Sequence, residues 1–240
     1  MTNEPWELVE NPTKYDDYNW YSDDVPARKF YLFIAELGHR LRHLMTDAGP
    51  IQMIQLCEQC AEGRLTEAEL GDLSDKHRPG VTCDYSAHVA NNLYWMVADR
   101  YKVYTRCVHY AADAFAFQAA VDAKIISPQA EFEALELLRE HPLFTGIRAR
   151  TELEWGALVR DIYGRNPFPH VTFEPAWRTS TAVALAQQMY DARDFGAMPI
   201  LADALQDAGC DHEDILTHCR DQQQVHVRGC WVVDLVLEKE

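Results

Sequence analysis

The stretch PAWRTSTAVALAQQMYDARDFGAMPILADALQDAGCDHEDILTHCRDQQQVHVRGCWVVDLVL, Pro175 to Leu237, decides the fold class. Thr179 or Ser180 opens a helix that turns Val183, Ala186, Met189 and Tyr190 inward at steps of three and four. Pro199 then falls in the first turn of a second helix, where its missing N–H costs nothing. The buried stripe expected there is Ile200, Leu201, Ala204, Leu205 and Ala208. Gly209 supplies a left-handed terminus, and Cys210 occupies the position that folds back onto the preceding turn. Asp211 with Asp214 reads as the start of a short helix ending at Cys219. The closing GCWVVDLVLEKE has strand-like valines, but no partner strand is evident elsewhere, so a terminal helix is expected. The fold class is therefore all-α, with a C-terminal helical subdomain over 179–240.

Working outward, three prolines in the nine residues from Pro167 to Pro175 mark 166–178 as a proline-rich linker. Upstream, 26–165 reads as a larger helical bundle. Phe30, Phe33, Ile34, Leu37, Leu41, Leu44 and Met45 share one helical face. Gly49 and Pro50 interrupt the pattern, and Ile51, Ile54, Cys57, Cys60 and Ala61 resume it. Thr66 with Glu69 forms a capping box, and Leu65 is placed to staple onto Leu70. A long periodic segment runs from about residue 85 to 122. Ser127 and Pro128 open another helix that ends at His141 and Pro142, and Thr151 with Glu154 reads as a second capping box ahead of Trp155, Leu158, Val159 and Ile162. Gly164 closes that helix. Residues 1–25, with Trp6 and Trp20 among acids, form an extended aromatic and acidic arm.

Composition removes several functions. With 38 Asp and Glu against 22 Lys and Arg, the chain carries −16, with −8 in residues 1–150 and −8 in 151–240. Without a basic patch or tail, backbone-driven nucleic-acid binding and attachment to anionic membranes are not expected. The N-terminus lacks the basic start and apolar run of a secretory signal, and no stretch approaches the ~20 apolar residues of a membrane span. Seven cysteines, an odd count, fit reduced thiols of the cytoplasm better than a disulfide framework.

The segments PAWRT (175–179), MPILADALQDAGC (198–210), HCR (218–220) and HVRGCWVVDLVL (226–237) resemble the C-terminal region of a large paralogous family of uncharacterised proteins of planctomycete bacteria. RDIYGRNPF (160–168), ARKFYLFIAELGHRLRHLM (27–45) and AEGRLTEAEL (61–70) are similar to it as well. The resemblance implies an all-helical bacterial protein and transfers no activity. Its members often carry cysteines where this chain has Ala35, Leu37 and Gly38, so no role of those cysteines passes to it.

Candidate chemistry centres on Cys210, Cys219, His226 and Cys230. Three thiolates and an imidazole make a sound tetrahedral zinc set, with His212 and His218 as alternative ligands. The spacing matches no compact knuckle, and buried core thiols account for the cysteines equally. Cys57 and Cys60 form a CxxC inside an amphipathic helix rather than at a helix start, which argues for core packing over redox chemistry. Glu36, His39 and His43 share a helical face, but a bridged dimetal bundle needs a second such motif, and an exposed polar face is expected. With no nucleophile elbow, phosphate loop or HExxH, no catalytic residue is assigned. Trp6, Trp20, Phe168 and Trp177 are the candidate anchors for a protein partner, unless they pack over the chain's own core. The expectation is a non-catalytic interaction or regulatory module of unknown partner and no cofactor. The alternatives are a zinc-stapled structural domain, and a zinc or thiol enzyme built on the C-terminal cluster.

Overall fold

The structure, a computed structural model, describes residues 26–45, 48–76, 104–127, 138–164 and 171–239. Among these are nine α-helices and no strand. They are α1 (Ala27–Leu41), α2 (Ala48–Ala61), α3 (Glu67–Lys76), α4 (Tyr104–Asp122), α5 (Pro142–Tyr163), α6 (Ser180–Ala192), α7 (Met198–Asp207), α8 (Glu213–Arg220) and α9 (Trp231–Leu237). The all-α fold is as the periodicity implies. The arm, the first half of the 85–122 segment and nearly all of the helix after Pro128 lie outside the described residues, as do Trp6, Trp20, Cys83 and Phe168.

The chain divides into two compact units, whose described parts are 26–156 and 157–239. In the first, α1 packs on α2 and α2 on α3. Every residue of the α1 stripe is buried, from Phe30 to Leu41 and on through Leu44 and Met45. Gly49 and Pro50 do not separate two helices but lie in the first turn of α2. Proline is tolerated there because first-turn amides have no partner within the helix. The Thr66 box forms reciprocally: Glu69 N–H donates to Thr66 Oγ1 (3.2 Å), and Thr66 N–H donates to Glu69 Oε2 (2.9 Å). The Thr66 N–H, and after it the Thr66 hydroxyl donating to the same Oε2 (2.7 Å), hold the Glu69 carboxyl below its ordinary range. The second predicted box does not exist. Thr151 is interior to α5, which starts at Pro142, and His141 marks that start because Leu143 N–H donates to its Nδ1 (3.2 Å). The His141–Pro142 pair therefore opens α5, three residues after the helical residue Leu138.

The second unit takes the last turns of α5 from Ala157 with α6–α9. The division falls inside a helix and not in the proline-rich 166–178 segment. Here α6 packs on α7 and α9, and α8 on α7 and α9. Ala182 and Ala186, fully buried on α6, allow close approach, while Met189, Leu201, Leu205, Ile215, Val232 and Val236 fill the centre. Thr179 Oγ1 caps α6 by accepting from Ala182 N–H (3.2 Å). At the end of α7, Gly209 has φ +92°, Gly209 N–H donates to Gln206 O (2.9 Å), and Cys210 N–H donates to Leu205 O (2.9 Å). This is the paired closure anticipated from Gly209–Cys210. Ile200 departs from the expected stripe and is 58% exposed, since Met198, Leu201, Ala202 and Leu205 form the inward face. Because Gly209 and Cys210 complete α7, α8 begins two residues after Asp211, with His212 at its N-terminus and Glu213 and Asp214 in the first turn.

Two arginines finish the unit's helices. Arg178 donates to Val236 O (3.0 Å) and Leu235 O (2.8 Å), covering the free carbonyls of α9 while its guanidinium lies over the Phe173 ring. Arg228 donates to Tyr190 O (2.8 Å) at the end of α6 and stacks over the Tyr190 ring. Thr179→Ala should lower unfolding free energy by about 1 kcal/mol. Gly209→Ala should cost about 1 kcal/mol or more, since alanine is strained at positive φ. Denaturant unfolding monitored by circular dichroism measures both.

Candidate metal centre

The residues at the heart of the second unit come from four separate segments. Asp161 sits on the inward face of α5 between Leu158 and Ile162, and its side chain is fully buried. His218 lies on α8, on the turn that also buries Ile215 and Cys219. His226 belongs to the loop after α8, and Cys230 stands at the N-terminus of α9. One donor atom from each of these four residues lies within 4.8 Å of all the others.

The separations are specific. His226 Nδ1 is 2.8 Å from Asp161 Oδ1, and His218 Nε2 is 3.2 Å from the same oxygen. Cys230 Sγ is 3.3 Å from His218 Nε2 and 3.9 Å from His226 Nδ1. Zinc bonds of ~2.0–2.3 Å at tetrahedral angles imply edges of roughly 3.3–3.7 Å between ligand atoms, and the observed spacings bracket that range. The other carboxylate oxygen, Asp161 Oδ2, accepts from Val227 N–H (2.8 Å). The imidazoles of His218 and His226 meet edge to face at 4.9 Å, and Trp231 lies 5.1 Å from His218. The Nε2 atom of His226 and the Nε1 atom of Trp231 are buried without a hydrogen-bond partner among the described residues.

Electrostatics set the protonation of these groups. Burial alone would raise the Asp161 carboxyl, but the hydrogen bonds from His218 and His226 outweigh it and hold the group below its ordinary value. The Cys230 thiol is pushed well up, first by burial and then by the Asp161 charge, although Val233 N–H opposes the shift. A thiolate at Cys230 thus requires a cation beside it, and the four donors converge where such a cation would sit.

The structure brings together two of the residues expected from sequence, His226 and Cys230, and with them the alternative imidazole His218. Cys210 and Cys219 are buried in the same apolar core but outside the four-donor set. The Cys219 thiol is pushed up, first by burial and then by Asp161. Asp161 was not anticipated. Its signal was a carboxylate on the apolar stripe of Trp155, Leu158 and Ile162, where an unpaired charge would be costly.

The remaining candidates lead elsewhere. Trp177 is buried in this unit's core, edge-on to Phe173 at 5.4 Å. Cys57 is fully buried and Cys60 half-buried, with both thiols pushed up by burial. Glu36 accepts from Arg40 Nε (2.9 Å) and His39 Nε2 lies 2.8 Å from Glu58, so the ExxHxxxH residues are divided among separate pairs. No described helix is long and apolar enough to cross a membrane. No known protein family, curated protein or solved structure matches the chain.

Asp161→Ala should destabilise the protein by about 3 kcal/mol or more, because it leaves two largely enclosed imidazoles and the buried Val227 amide without their acceptor. Denaturant unfolding measures the loss. Val227 N–H should also exchange with deuterium far faster in the variant.

Proposed function

We propose that the second unit is a zinc-stapled, non-catalytic domain, with Asp161, His218, His226 and Cys230 as the four ligands. The observation that carries this reading is the convergence of one oxygen, two imidazole nitrogens and one sulfur from four segments onto a single point. The donor set suits Zn²⁺: borderline-soft, tetrahedral and indifferent to ligand-field geometry. Four protein ligands fill the tetrahedron, whereas a catalytic zinc keeps one position for water or substrate. Burial supports the same side, since Asp161 and Cys230 are fully enclosed and His226 is nearly so. The role of the metal is to fix the loop 221–230, which has little regular structure of its own, between α5, α8 and α9. A domain held in this way would present a rigid acidic surface to a protein partner.

Metal analysis of full-length protein purified without a metal-affinity tag tests the reading. The expected result is close to one zinc per chain. Cys230→Ser and His218→Ala should each release the metal and lower the melting temperature by roughly 10 °C or more, in keeping with the large share of folding free energy a structural zinc supplies. Cys219→Ala should keep the metal while losing stability through the cavity it leaves. Zinc absent from the wild type, or retained after Cys230→Ser, would sink the proposal and leave the four groups as a metal-free hydrogen-bond network.

A further inference from the structure

We propose that the first unit carries a second, separate site: a cleft that takes a small aromatic carboxylate. The cleft measures about 460 Å³, within the range of small-molecule sites, and lies among the end of α1, the later turns of α4 and the middle of α5. Every side chain named here belongs to that unit, so the inference stands or falls independently of the zinc reading.

The walls are aromatic. Phe115 meets Trp155 edge-on at 6.1 Å, and His43 lies 5.7 Å from Phe115 on the other side. A planar ring entering this cleft would meet further edges and faces of the same kind. Two of the lining side chains are buried and polar. Thr151 is 4% exposed and Trp155 1%, both line the cleft, and neither the threonine hydroxyl nor the indole N–H is bonded to another described residue. A threonine inside a helix ordinarily returns its hydroxyl to the carbonyl one turn back. Here it does not, which leaves the hydroxyl available to a ligand entering the cleft.

The charge around the cleft selects the acceptor. Arg40 and Arg150 both line it. Arg40 uses its Nε toward Glu36 (2.9 Å), which leaves the terminal amino groups of the fork for a ligand. The two lining carboxylates are already served: Asp122 accepts from the Gln118 amide (2.9 Å), and Glu154 lies 3.7 Å from Arg150 Nε. Hydroxyl, indole N–H and guanidinium are all donors, and a carboxylate is the common small anion that accepts from several at once. An apolar ring bearing one carboxylate fits both the walls and the donors.

Benzoate serves as the probe, titrated into full-length protein. The reporter is the indole ¹H–¹⁵N resonance of Trp155, assigned by its loss in Trp155→Phe. A saturable shift is expected, weakened about tenfold by Arg40→Gln and by Thr151→Val, as loss of one ligand hydrogen bond implies. Arg150 is largely exposed, so Arg150→Gln provides a variant whose folding is not at stake and should weaken binding in the same direction. Benzamide and benzylamine, the neutral and cationic counterparts, should bind markedly less well. The proposal is overturned if ~10 mM benzoate, a millimolar affinity being only about −4 kcal/mol, leaves the resonance in place. It is equally overturned if the counterparts bind as well as benzoate, or if none of the three substitutions alters the titration.

Discussion

The second unit depends on one buried carboxylate. Asp161 has no solvent to stabilise its charge, and its stabilisation comes instead from two imidazole nitrogens at one oxygen and the Val227 amide at the other. An ionised group removed from water is unfavourable by several kcal/mol unless such partners surround it. The surrounding structure follows from that requirement. The loop after α8 must pass close enough for His226 and Val227 to reach α5, and α8 must turn His218 toward the same point. Cys230, at the head of α9, completes the group.

The segment HVRGCW shows how densely six residues can be occupied. His226 reaches Asp161, Val227 offers its amide and buries its side chain, and Arg228 closes α6. Gly229 adopts φ +93°, where other residues are strained, so that Cys230 can start the next helix and Trp231 can enter the core. PAWRT behaves similarly: Trp177 packs inside, Arg178 closes α9 and Thr179 opens α6. These are polar and aromatic side chains spent on ordering the backbone, which is why segments that look like connecting loops carry such particular sequences.

The helices were legible because their signals are local. Thr66 and Glu69, Thr179, and the Gly209–Cys210 pair each act within one turn, and periodicity named the buried faces of α1 and α6. Thr151–Glu154 misled because the same letters occur in a helix interior, where Thr151 is simply buried. The four-donor cluster was half legible. His226 and Cys230 stood out by residue type, but three nearby cysteines drew attention to sulfur, and sequence alone cannot show that Cys210 and Cys219 face the apolar core. Asp161 is distant from the others along the chain, and only its place on an apolar stripe betrayed it.

That distance has a kinetic meaning. Asp161 and Val227 are 66 residues apart, so the clasp they form encloses α6, α7 and α8 in one loop. Drawing together the ends of a flexible loop of that length costs roughly 4 kcal/mol of chain entropy. The enclosed helices have short-range neighbours, α6 on α7 and α7 on α8, and α6 has its own Thr179 cap. Loop-closure entropy favours local helix pairs forming before the carboxylate meets its partners. The final contact gathers the entire C-terminal chain, and its loss would release all of those helices together.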